Sequence, residues 1–262
     1  MTTLDGKVAI VTGGGTGIGR AAALLLAAAG ALVVVAGRRK APLAAVVREI
    51  EEAGGRAAAY QVDLVDATEA AALGRWAAET HGRVDVLVNN AGQSSHVRNI
   101  RWLPKDEWDS VLGVNLTGVF ALTQAVLGRM LEQGGGTIVT VASAAALRSG
   151  LLSGAAYGAA KAGARNLMTH LHNTFRNQGI RATTIIPAEV DTPILDKRPL
   201  PPDAAARATM MQPEDVARAI LLCATLPPRT VIEEIVISPT VLRDQSKDIA
   251  FNRDLGAPQG RP

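Results

Sequence analysis

The chain has 262 residues, 48% hydrophobic and 19% charged, which excludes a disordered protein and suffices for one large α/β domain with its own core. The net charge is +3, and apart from the cluster Arg38, Arg39, Lys40 the basic residues are scattered. A local anion site is therefore expected and a nucleic-acid-binding stripe is not. The lone Cys223 excludes a disulfide framework and a cysteine-based zinc site.

In chain order, short apolar runs alternate with longer helical stretches. Strands are expected at Lys7–Thr12, Ala31–Ala36, Ala57–Val62, Val84–Val88, Thr137–Val141, Arg181–Ile186 and Ile232–Ile237. Most are continuous apolar runs, as for strands covered on both faces. Helices are expected at Ile18–Ala29, Pro42–Ala53, Ala67–His81, Lys105–Glu132, Tyr157–Gln178 and Pro213–Thr225. This alternation predicts a single-domain, doubly wound Rossmann fold with about seven parallel strands, helices on both faces and right-handed crossovers. The domain spans 1–240. Within it, 188–212 contains Pro193, Pro199, Pro201 and Pro202 with little strand pattern, and is expected to be a substrate lid. From 241 to 262 the chain is a polar tail, read as disordered or laid against a neighbouring subunit.

Met1 to Asp5 has neither the basic nor the apolar part of a secretory signal. The uncharged run Ala21 to Gly37 falls short of the ~20 residues that span a bilayer, and Gly30 splits it into a buried helix and a buried strand. The expectation is a cytoplasmic protein without membrane or nucleic-acid partners.

After the first strand come Gly13, Gly14, Gly15, Thr16, Gly17, Ile18 and Gly19. In an open parallel sheet this turn lies where ligands bind, and a diphosphate there must meet bare backbone and the partial positive charge of a helix N-terminus. Placed between a buried strand and an Ala/Leu helix, the turn predicts a dinucleotide site. An acidic residue ending the second strand would favour NAD(H); Arg38 and Arg39 stand there instead. Their planar, permanently charged forks suit a 2′-phosphate, so NADP(H) is preferred over NAD(H).

Of the two tyrosines, Tyr157 has Lys161 four residues on, on one face of a helix with Cβ atoms about 6 Å apart. A phenol with a pKa near 10 is a poor acid–base group at neutral pH, and a nearby ammonium is expected to lower it. His96, His170 and His172 form no metal set and are expected at the surface. No metal site is expected.

Taken together these motifs resemble the short-chain dehydrogenase/reductase family, in its branch of about 250 residues. The likeness runs from Lys7 to about Pro239. Beyond the glycine turn and the Tyr157–Lys161 pair, it rests on Asp63, Asn89-Asn90-Ala91-Gly92, Asn115, Ser143 and the stretch Pro187 to Thr192. The resemblance implies that Tyr157 is the general acid in carbonyl reduction and the base in the reverse direction. It implies that Lys161 binds the nicotinamide ribose, Ser143 holds the substrate oxygen and Asn115 positions a water linking Lys161 to solvent. Asp63 would meet the adenine, Asn90, Ala91 and Gly92 would floor the cofactor, and Val190 and Thr192 would contact the carboxamide. Two departures stand out. Ala142 precedes Ser143 where a second serine is frequent, and Ala188 replaces the usual glycine after Pro187.

The expected activity is hydride transfer between NADP(H) and a small carbonyl or secondary alcohol. Epimerase or dehydratase chemistry and a non-catalytic dinucleotide-sensing protein are the other readings. The pocket is expected between Gln93–Ser95, Leu151, Leu152 and Glu189–Met211, with Ile194, Leu195, Met210 and Met211 making it apolar. Glu189, Arg198 and Arg207 are candidates to orient a polar group. The apolar faces Leu116–Leu131 and Ala159–Phe175 suit a dimer or homotetramer.

Overall fold

The computed structural model describes residues 3–258. In order these form β1 (Val8–Thr12), α1 (Gly17–Ala28), β2 (Leu32–Gly37), α2 (Lys40–Glu52), β3 (Arg56–Gln61), α3 (Ala67–His81), β4 (Val86–Asn89), α4 (Lys105–Leu112) and α5 (Gly118–Glu132). There follow β5 (Gly136–Val141), α6 (Ala155–Phe175), β6 (Ile180–Pro187), the one-turn α7 (Ala204–Arg207), α8 (Pro213–Thr225), β7 (Glu234–Ile237) and α9 (Ser246–Asp254). The seven strands make one parallel sheet in the order β3-β2-β1-β4-β5-β6-β7. The chain is thus a single doubly wound α/β domain. Strand order reverses between β1 and β4, which opens a crevice at their carboxyl ends.

The continuous apolar runs are explained by two cores, one per sheet face. On β1, Ala9 and Val11 point to the face covered by α1, α2 and α8, and Ile10 points to the face covered by α3, α5 and α6. All three are fully buried, and burying a side chain such as Ile10 contributes roughly 1.5–3 kcal/mol. Only the outer strands β3 and β7 mix exposed with half-buried residues and bury none fully.

Helix ends follow their capping residues. The Asp66 carboxylate accepts from the Thr68 and Glu69 amides to start α3, and Gly82, at φ 72°, ends it. Gln212 and Asp215 form a reciprocal capping box around Pro213 at the first position of α8.

Three expectations need correction. Lys105–Glu132 is not one regular helix, because a π-turn at Gly113–Thr117 separates α4 from α5. His172 is buried, its Nε2 lying 3.3 Å from Glu233 Oε1, whereas His96 and His170 are exposed. The tail, as far as it is described, folds onto its own subunit. α9 buries Asp248 and Asn252, Arg243 binds Glu189 and Asp248, and the Asn99 amide donates to the Arg253 carbonyl at 2.6 Å. The tail residues 259–262 lie outside the described residues.

Candidate active site

The crevice is built first by the ends of β1 and β4. The Thr12 hydroxyl donates to the Val88 carbonyl at 3.2 Å and accepts from the Asn90 and Ala91 amides at 3.0 and 3.1 Å. The Asn90 side chain returns a hydrogen bond to the Thr12 carbonyl at 2.9 Å. These four bonds lock the glycine turn to the floor Asn90–Gly92. Gly13 and Gly17 have φ of 65° and 54°, left-handed values that other residues adopt only with strain. A Cβ at Gly19 would collide with the Gly13 carbonyl, so Gly19 serves close packing of α1 and does not line the crevice. Thr16 begins α1 without a side-chain cap, and no acidic residue sits in the first turn. Backbone N–H groups and the positive helix end are left for an anionic ligand.

A cavity of about 520 Å³ opens above this floor, lined by Gly13, Thr16, Gly17, Ile18, Asn90, Ala91, Gly92, Ser143, Tyr157, Lys161, Pro187, Val190 and Thr192. Thirteen positions scattered over the sequence therefore meet in one place. Together the bare turn, the uncapped helix and a cavity of this size fit a dinucleotide diphosphate and its attached ribose.

The polar wall comes from α6, β5 and the π-turn. Lys161 is 3% exposed; its ammonium donates to the Val141 carbonyl at 2.8 Å and sits 5.6 Å from the centre of the Tyr157 ring. Burial, which penalises the charged form, pulls the Lys161 pKa down to about 8. The Tyr157 phenol is pushed up, not down as expected. Burial is the largest cause, and the Ser143 hydroxyl and the charges of Arg198 and Arg98 oppose it only in part. The Lys161 ammonium, 5.6 Å from the ring centre, does not offset that burial.

Asn115, fully buried in the π-turn, donates from Nδ2 to the Gln93 and Val111 carbonyls at 2.7 and 2.8 Å. A Cβ at Gly92 would stand 3.3 Å from Asn115 Oδ1 and 3.8 Å from Lys161 Nζ, so both groups border the same opening. The Ser143 hydroxyl accepts from the Ala145 amide at 3.2 Å and still lines the cavity.

Other expected residues lie apart. Arg38 and Arg39 follow β2 beside the glycine turn, tied there by the Gly14 amide on the Ala36 carbonyl at 3.2 Å. Both are exposed and, among the described residues, carry no ion pair. Asp63 lies beyond β3, outside the cavity lining, its carboxylate accepting from the Val65 amide at 3.1 Å. Met210 and Met211 are buried away from the cavity; Met211 joins the core through a bridge with Val190. Arg207 turns to Asp191 and Asp196. Arg98, Gln245 and Ile249 line the cavity unforeseen. None carries a local sequence signal, because each arrives from a distant loop or from the tail.

The fold and this crevice define a doubly wound α/β protein with a candidate dinucleotide site at the switch point of its sheet. Comparison with known proteins makes that specific. The family model described as short chain dehydrogenase matches residues 7–201. The chain is 33% identical over 231 residues to the 3-oxoacyl-[acyl-carrier-protein] reductase of Thermotoga maritima, covering 85% of this chain and 92% of that protein. It is 37% identical over 237 residues to the enzyme of the same name from Synechocystis sp., covering 87% and 92%. A solved metagenomic short-chain oxidoreductase in complex with NADP superposes with a TM-score of 0.79 at 33% identity, covering 91% of this chain and 99% of that one. The chain belongs to the short-chain dehydrogenase family.

Proposed function

We propose that the protein is an NADP(H)-dependent oxidoreductase that interconverts a small carbonyl compound and its secondary alcohol. The observation that carries this reading is that Ser143, Tyr157 and Lys161 share one cavity wall with the glycine turn. The NADP-bound structural relative and the oxoacyl reductases of similar sequence support it. When bound, the dinucleotide supplies or accepts the hydride.

The chain's own residues do the rest. The glycine turn and the start of α1 hold the diphosphate, while Asn90, Ala91, Gly92, Pro187, Val190 and Thr192 seat the nicotinamide half. Asp63 meets the adenine, and Arg38 and Arg39 hold the 2′-phosphate. Lys161 binds the ribose hydroxyls, with Asn115 keeping the opening beside it polar. Ser143 donates a hydrogen bond to the substrate oxygen as negative charge develops there. Tyr157 hands its proton to that oxygen in reduction and takes it back in oxidation. Burial, by raising the phenol, keeps Tyr157 protonated and ready as an acid. Segment 188–212 closes over the substrate as a lid, and the outer faces of α5 and α6 join copies into a dimer or tetramer.

Tyr157→Phe is the direct test. Reduction of a carbonyl panel with NADPH should fall by about 10²–10⁴-fold, while NADPH binding, followed by its fluorescence, persists. A variant that keeps its rate removes Tyr157 from the chemistry. A sensing protein without turnover would leave both forms equally silent.

A further inference from the structure

Beside Tyr157 the cavity ends in a set of charged side chains whose charges do not cancel. Glu189 accepts from Arg198 at 2.7 Å, from Arg243 at 2.8 and 2.9 Å and from Gln245 at 3.0 Å. Arg243 also binds Asp248 at 2.7 Å. Both carboxylates are thereby engaged. Arg98 is the buried guanidinium left over. It is 4% exposed, lines the cavity, and its Nε is buried without a partner. Among the described residues no ion pair or hydrogen bond uses its guanidinium.

Leaving a guanidinium buried and unpaired is costly, and a structure retains one where a ligand completes it. Nor is Arg98 placed loosely. Its carbonyl accepts from the Ala155 amide at 3.1 Å. Its stem runs so close to Gly154 that a Cβ there would come within 3.2 Å of it. Arg98 is thus fixed to the first turn of α6, two residues before Tyr157 in that helix. Burial draws its pKa to about 10, still charged at neutral pH.

We infer that Arg98, with Arg198 beside it, binds a carboxylate of the substrate, so that the molecule turned over at Tyr157 is a short oxo acid or hydroxy acid. Within this set Glu189 and Asp248 are engaged by Arg198 and Arg243, so the buried charge of Arg98 is the one left uncompensated, and a carboxylate is the group that pairs with it. The inference rests on the oxidoreductase reading for the word substrate, but the anion site stands on the geometry alone.

The test has two arms on the full-length protein. In the first, 3-oxobutanoate and its methyl ester are compared as substrates with NADPH. The acid should be preferred by about tenfold to a hundredfold in kcat/KM, the range expected of a charged hydrogen-bonded contact. Arg98→Gln should collapse that ratio, and Arg98→Lys should restore part of it. In the second, turnover is not needed. Butanoate, butanamide and inorganic phosphate are titrated against the protein by calorimetry. Butanoate should bind more tightly than the other two, and Arg98→Gln should lose the difference. Equal binding of butanoate and butanamide, tighter binding of phosphate, or preference for the ester overturns the carboxylate site. If neither compound is reduced but butanoate binds through Arg98, the anion site holds and only the oxidoreductase reading falls. Should Arg98→Gln not fold, the acid-to-ester ratio and the titrations of the unaltered protein still decide.

Discussion

Burial acts on Tyr157 and Lys161 in opposite directions, holding the proton on one and loosening it on the other. The sign for stability follows for the lysine. Folded, its proton leaves near pH 8; unfolded, near 10.5. Between those values the unfolded chain binds more protons, so this group adds stability as pH rises through the window, and below pH 8 it is a standing cost. Lys161→Met is therefore expected to melt higher at pH 7 while losing activity. Set against the Val141 carbonyl left unpaired, the net gain is about 1 kcal/mol, or about 2–4 °C in a domain of this size. Melting followed by circular dichroism from pH 7 to 10.5 checks it: the gap between variant and parent should close and then reverse toward the alkaline end, where the parent no longer bears a buried charge and the variant still lacks the bond to Val141. The pair itself is legible because four residues on a helix fix a neighbourhood. The direction of the Tyr157 shift is not, since it depends on how deeply α6 is covered, which no local spacing encodes. The same holds for Arg98, whose importance lies in the missing partner.

At the level of elements, each expected strand is present with ends moved by only a residue or two, because a strand covered on both faces is apolar throughout. The π-turn at Gly113–Thr117 escaped because its residues keep an apolar helical pattern and differ only in winding. Met210 and Met211 suggested a pocket wall, yet a parallel bridge to Val190 turns that stretch into the core. The end of β2 carries a prediction of its own. Arg38 and Arg39 stand exposed on the loop that follows it, next to the glycine turn. Replacing both with serine should raise KM for NADPH by about tenfold relative to NADH, as loss of charge-assisted contacts to one phosphate implies. Initial rates with the two nucleotides in parallel measure it, and an unaltered ratio would detach these arginines from nucleotide choice.

Across the whole molecule, residues 241–254 tie the last part of the chain to the site. Arg243 is 10% exposed at the side chain, and its partners Glu189 and Asp248 are 12% and 8% exposed. Removing one member of such a buried set costs about 3–5 kcal/mol. Arg243→Ala should then melt about 6 °C or more below the parent, with a scanning calorimeter as the judge. A drop of a degree or less would mean the tail is only lightly attached. The tail's polar composition hid this role, because charges that bind one another look like charges that face water.

The irregular turn between α4 and α5 has a consequence for how this chain can change length. One extra residue is wound into that single stretch, and the amide of Asn115 holds the carbonyl of Val111 across it. Deleting one residue within Gly113–Thr117 would let regular α winding resume and swing Asn115 from the opening it borders with Lys161. The surface connections of this chain can therefore change length without moving the site, but through this turn the count is set by chemistry.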